Sequence, residues 1–199
     1  MRTDARISEE GKSLLAAMVG KTLDSCQYDV PFRVGTAYNL VCLEVEGTCY
    51  CIANTLEYLG LWGEKEEVSV VSVHLGGLED VGGKLGIAEW SAPVKRHEEA
   101  FGRMIRDVLV YEDELIEFRD GVDLHSIVYT RAIVFDLEGT QLVIGMGDFF
   151  DEALFIARGP GAEHGIPEAM AYVYEDERGR ERAERTVTSL KEWAAALGA

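Results

Sequence analysis

The feature that most restricts how this chain can fold is a β-hairpin signature that occurs twice. Residues 39–52 read NLVCLEVEGTCYCI and residues 131–144 read RAIVFDLEGTQLVI. The two align without a gap on Glu46-Gly47-Thr48 and Glu138-Gly139-Thr140, and each carries an acid two residues before the shared glutamate. Strand side chains alternate between faces, so the length of the loop decides which residues share a side. An even-numbered loop around Glu46-Gly47 puts Val41, Leu43, Val45, Tyr50 and Ile52 together, and the same loop in the second copy collects Ile133, Phe135, Leu137, Leu142 and Ile144. A three-residue loop scrambles both sets and moves Gln141 among the apolar residues. The even loop is therefore expected in both hairpins.

Each hairpin is followed by an aromatic, acidic connector and a further apolar run. In the first copy these are Leu56 to Glu67 and then Val68 to Leu75; in the second, Asp148 to Glu152 and then Ala153 to Ala157. Ser8 suits the N-cap of a helix from about Glu9 to Met18 that Gly20 ends. Ser189 to Glu192 fits a capping box, so a short helix through Leu197 is expected at the end. Five glycines between Gly76 and Gly86 predict a flexible loop. Arg96 to Arg106 suggests a helical turn or two, Val108 to Phe118 reads as β-structure, and Met170 to Tyr174 with Arg182 to Thr188 suggest a third hairpin. The expected fold is thus α+β: a β-rich single domain over residues 1–199, built around two related hairpin units at about 39–75 and 128–157, with an N-terminal helix and a short C-terminal helix.

At 199 residues the chain can bury one sizeable core. Its formal net charge of −17 repels phosphate backbones and anionic lipid, which makes nucleic acid an unsuitable ligand. The same field attracts basic proteins and divalent cations. No apolar run approaches the length of a membrane span and the first residues lack a signal-peptide pattern, so a cytoplasmic protein with reduced cysteines is expected.

Few residues stand out chemically. Cys42, Glu44, Cys49 and Cys51 share a hairpin face, but Val134, Gln141 and Val143 occupy the three cysteine positions in the other copy. That substitution favours thiols that pack as small hydrophobes over thiols that bind zinc. Asp148, Asp151 and Glu152 follow Gly145-Met146-Gly147 and form a candidate divalent-metal site for a hydrolase assisted by His125 or His164. His97-Glu98-Glu99 reads as an exposed helical stretch. Gly20-Lys21-Thr22 lacks the earlier glycine of a phosphate-binding loop, and no cofactor is implied. Trp62 with Glu64, Glu66 and Glu67 is the candidate interaction patch, an aromatic among acids. The leading expectation is a non-catalytic macromolecule-binding module, for example an immunity or antitoxin-like partner of a basic protein. A metal-dependent hydrolase and a small-ligand-binding β-domain are the alternatives. Alternating charges at Arg178 to Arg185 suit self-association into a homo-oligomer.

Overall fold

A computed structural model describes residues 1–30, 35–61, 64–86, 95–119, 122–147, 149–150, 153–169 and 180–198. Its strands are β1 (Arg2–Ala5), β2 (Thr22–Val30), β3 (Thr36–Tyr38), β4 (Leu40–Val45), β5 (Thr48–Leu61), β6 (Glu64–Leu75), β7 (Lys95–Arg119), β8 (Val122–Leu137), β9 (Thr140–Met146), β10 (Ala153–Gly159) and β11 (Arg180–Ser189). Three eight-residue helices accompany them: α1 (Glu9–Ala16), α2 (Leu78–Leu85) and α3 (Leu190–Leu197). About two-thirds of the described residues lie in strands, which overturns the α+β expectation in favour of a mostly β fold. No helix among the described residues is long and apolar enough to cross a membrane.

The strands hydrogen-bond in the order β3-β10-β9-β8-β7-β2-β4-β5-β6, with β1 added in parallel to β8 and β11 added to β7. The 25-residue β7 joins two four-stranded runs. Its first part, Lys95 to Met104, pairs with β2, and its remainder, Ile105 to Arg119, pairs with β8. Register shifts lie at this changeover, at Leu23/Ser25 and at Ile105/Asp107, and Gly102 sits there with φ 59°. Bulges let one strand bend from one sheet into another. The helical turn expected at Arg96 to Arg106 is part of this strand. His97, Glu99 and Phe101 alternate with Arg96, Glu98 and Ala100, and the pairing with β2 follows that period of two.

Both hairpins have two-residue loops, with Val45 opposite Thr48 and Leu137 opposite Thr140. Cys42 faces Cys51 as Val134 faces Val143. Val41, Leu43, Val45, Tyr50 and Ile52 join Ile133, Phe135, Leu137, Leu142 and Ile144 in one core, together with Leu15 of α1 and Met18 just after it. The opposite face of each hairpin has its own small cluster. Leu40, Cys42, Cys51 and Ala53 lie under Leu78 and Val81 of α2, while Ala132, Val134 and Val143 lie under Ile166.

The glycine-rich segment expected to be a flexible loop is largely α2. Leu78, Val81 and Leu85 fall at helical spacing and pack on the hairpin, which supplies the burial that glycine propensity withholds. At Gly82 the backbone approaches Leu40 so closely that an added Cβ would lie 3.3 Å from its Cδ1. Gly86 ends the helix with φ 68°. Both N-cap expectations hold: Ser8 Oγ accepts from the Gly11 N–H at 3.1 Å, and Ser189 Oγ from the Glu192 N–H at 3.2 Å; α1, however, ends at Ala16 with Ala17 as its C-cap, short of the expected stop at Gly20. The connector expected at Leu56 to Glu67 is instead the continuation of β5 and the start of β6. Met170 to Tyr174, half of the expected third hairpin, lies outside the described residues; its other half is β11, paired with β7.

Candidate functional site

The expected interaction patch lies at the far end of the β5–β6 hairpin. Trp62 is outside the described residues. Glu64 and Glu67 are exposed and Glu66 is half-buried. Beside them the structure places Tyr58, 69% exposed, and Leu56. Tyr58 lies opposite Glu67, and a hydrogen bond to that carboxylate raises the tyrosine hydroxyl above its ordinary pKa. Thr3 hydrogen-bonds the Gly60 carbonyl and Leu61 is buried in the core, so the tip is anchored on β1. Tyr58 was missed from sequence because exposure is not visible there. Its alternation with exposed Glu57 gave no reason to prefer it over core aromatics such as Tyr50.

The metal-site residues Asp148, Asp151 and Glu152 lie outside the described residues. Their proposed helpers belong to different elements. His125 is in β8, its Nδ1 buried without a hydrogen-bond partner among the described residues, whereas His164 is exposed in a 3-10 turn (Ala162–Gly165) with Nδ1 2.8 Å from the Gly161 carbonyl. Among the described residues no group of three or more His, Cys, Asp or Glu side chains is arranged to hold a metal ion.

On the α2 side of the first hairpin, pairing across β2, β4, β5 and β6 sets Gln27, Cys42, Cys51 and His74 in a row. The Cys42 thiol contacts those of Cys51 and Cys49, and its pKa is raised, first by the hydrogen bond its proton makes to Cys51 and then by burial. Burial pushes Cys26 up to about 12 and also raises Cys49. His74 turns its Nε2 to Ser72 Oγ at 2.8 Å. All four thiols are free. Protonated, apolar-packed thiols are poor nucleophiles and poor metal ligands, so this face is a packing surface.

The most heavily charged interior lies at Glu112-Asp113 of β7. A bulge opposite these residues leaves Arg131 as the extra residue of β8, since Tyr111 pairs with Ala132 and Glu112 with Thr130. Glu112 meets Lys12 Nζ at 3.2 Å and Arg6 at 3.9 Å. Asp113, fully buried, takes a bidentate pair from Arg185 at 2.6 and 2.8 Å and lies 3.5 Å from Arg131 Nε. Arg131 also donates to the Gly147 carbonyl at 2.5 Å and to that of Glu168 at 3.3 Å, and Arg185 to that of Pro167 at 2.6 Å. The Asp113 hydrogen bond raises the Arg185 pKa. The guanidiniums thus clamp β11, β8 and the segments after β9 and before β11. The sequence hides this cluster, because Glu112 and Asp113 sit in an acidic run that reads as a solvated face.

A second polar group lies where β7 changes sheets. The Tyr28 and His97 rings are 5.0 Å apart, His97 is 4.0 Å from Glu99, and Glu99 is paired with Arg158 of β10. The Tyr28 hydroxyl accepts from the Gly35 N–H at 3.3 Å, and burial raises its pKa. His97 and Glu99 are therefore members of an inter-sheet contact, contrary to the exposed helix expected for them. Compared with protein-family models, with curated proteins and with solved structures, the chain has no match in any of the three.

Proposed function

We propose that this protein is a non-catalytic binding module for a basic macromolecular partner, an immunity or antitoxin-like role in the cytoplasm being one version. The observation that carries the reading is the β5–β6 tip. Tyr58 and Leu56 stand exposed on one face of a hairpin anchored to the body of the sheet, with Glu67 directly opposite Tyr58 and with Glu57 and Glu64 exposed on the alternate positions of the same two strands. An aromatic supplies burial on contact, the acids steer a cation-rich surface toward it, and the anchored strands lower the ordering cost of binding. The net charge of −17 extends that steering over the whole molecule.

The test is affinity capture from the source organism's lysate at low and physiological salt, followed by the same capture with Tyr58→Ala and with Glu64→Lys/Glu67→Lys. Stoichiometric retention of one basic protein, weakened by both variants, is the expected outcome. Recovery of the bait alone, or retention indifferent to both variants, sinks the reading.

A further inference from the structure

Cys42 and Cys51 are direct partners across β4 and β5, and Cys49 lies on the diagonal from Cys42 on the same face. The Cys49 carbonyl accepts from the Gly76 N–H at 3.0 Å, so it points away from β4, and Cys51, two residues on, turns its backbone the same way. Cys42 and Cys51 are therefore a non-hydrogen-bonded pair, the kind that brings Cα atoms to about 4.5 Å and side chains closest together. That spacing falls inside the roughly 4.4–6.8 Å that a disulfide spans, and the Cys42 thiol already touches both of the others. Solvent reaches the three unequally. Cys51 is 0% exposed and Cys42 4%, whereas Cys49 is half-buried. In the second hairpin Val134 faces Val143 at the corresponding positions, so the fold itself has no need of sulfur there.

We propose that these three cysteines are a reversible redox site: under an oxidised glutathione pool Cys49 reacts first, and the product is a Cys42–Cys51 disulfide across β4 and β5. The site does not depend on the partner reading. In the first step the Cys49 thiolate, its proton lost to water, attacks glutathione disulfide, forming a mixed disulfide and releasing one glutathione thiolate. The Cys42 thiolate then attacks the Cys49 sulfur and expels the second glutathione. That link follows the diagonal, about 7–8 Å between Cα atoms and too long for a relaxed disulfide, so the Cys51 thiolate takes over the Cys42 sulfur and Cys49 returns to a thiol. The sum is two protein thiols oxidised and one glutathione disulfide reduced to two thiols. Burial makes the thiolates scarce, which slows the exchange and leaves its end point to the two reduction potentials. The face therefore packs as apolar surface while reduced. A disulfide is apolar as well, so Leu78 and Val81 of α2 keep their seat on it.

The full-length protein, reduced and then held with glutathione disulfide, tests this by intact mass and peptide mapping. Cleavage after Glu44, Glu46 and Tyr50 leaves the three cysteines on separate peptides. The folded protein is expected to lose two hydrogens, to show a Cys42–Cys51 link that dithiothreitol reverses, and to gain about 5 °C in Tm from the closed loop. Cys49→Ala should slow the oxidation about tenfold and leave its product unchanged, because the two remaining thiols are hidden from solvent. A glutathione adduct that stays on Cys49, or a link made through Cys26, overturns the proposal. So does a folded protein that remains reduced after the urea-unfolded chain has oxidised fully. Oxidation of Cys49→Ala at the unaltered rate overturns the order of steps.

Discussion

Asp113 is wholly buried, yet it serves two guanidinium groups, and the energetic weight of the trio falls unevenly. Deleting the shared carboxylate strands two cations in the interior, while deleting Arg131 leaves Asp113 still held by Arg185. Asp113→Ala is expected to cost about 3–5 kcal/mol, with Arg131→Met costing less than half of that, measured by urea denaturation. Equal losses would contradict the shared-carboxylate account. Cys26 gives a pH signature of its own. Burial raises its pKa from 9.0 to about 12 in the folded protein. Below pH 9 both states keep the proton and stability does not respond to this group. Between about 9 and 12 only the unfolded chain releases it, so stability falls as pH rises. Cys26→Val should remove roughly 3 kcal/mol of that alkaline loss by pH 11, read as the difference between the two proteins' stability profiles. Neither residue could be assigned from sequence. Asp113 lies in YEDELIE, where acids outnumber apolar residues, and only a partner 72 positions away, Arg185, reveals that it is inside.

At the level of elements, the two hairpin loops share the letters Glu-Gly and differ in backbone. Glu46 and Gly47 both have positive φ, at 49° and 75°, the pattern of a type I′ turn. In the second loop only Gly139 does, at 81°, while the Glu138 carbonyl accepts from Arg103 at 2.6 Å. A glutamate in the left-handed region is strained by about 1 kcal/mol, so Glu46→Gly should stabilise the protein by up to that amount. Glu138→Gly should destabilise it by about 0.5–1 kcal/mol through added freedom of the unfolded chain. Opposite signs in chemical denaturation are the expected result. In α2, Gly83 faces open space, so Gly83→Ala is expected to add up to about 1 kcal/mol, and Gly82→Ala less, because its methyl crowds Leu40. The hairpins and their faces were legible because an alternation of apolar residues on both sides of a fixed loop leaves one workable register. The backbone of the loops was not, since hydrogen bonds from β7 help to set it. α2 was missed for a related reason: its five neighbouring glycines argue against helix locally, and the buried face that overrides them belongs to β4 and β5. Gly102 and the charges of Arg96 to Arg106 likewise disguised the start of a strand 25 residues long.

For the molecule as a whole, the charge of −17 is carried by a surface whose ion pairs are mostly exposed and weak, as at Arg2–Glu114 and Arg106–Glu138. Self-repulsion should dominate, so raising NaCl from about 20 to about 500 mM is expected to increase Tm by a few degrees. A fall in Tm would mean that the buried pairs at Glu112 and Asp113 outweigh it. The shared strand β7 has a broader implication. Lys95 to Met104 belongs to the ladder with β2 and Ile105 to Arg119 to the ladder with β8, and the side chains of both runs meet in one core. Neither run, taken alone, could satisfy its own edge or cover its own apolar side. A backbone cut in the segment between α2 and β7 would therefore produce two pieces that are unfolded apart and restore the native molecule only in each other's presence, a natural architecture for a split reporter.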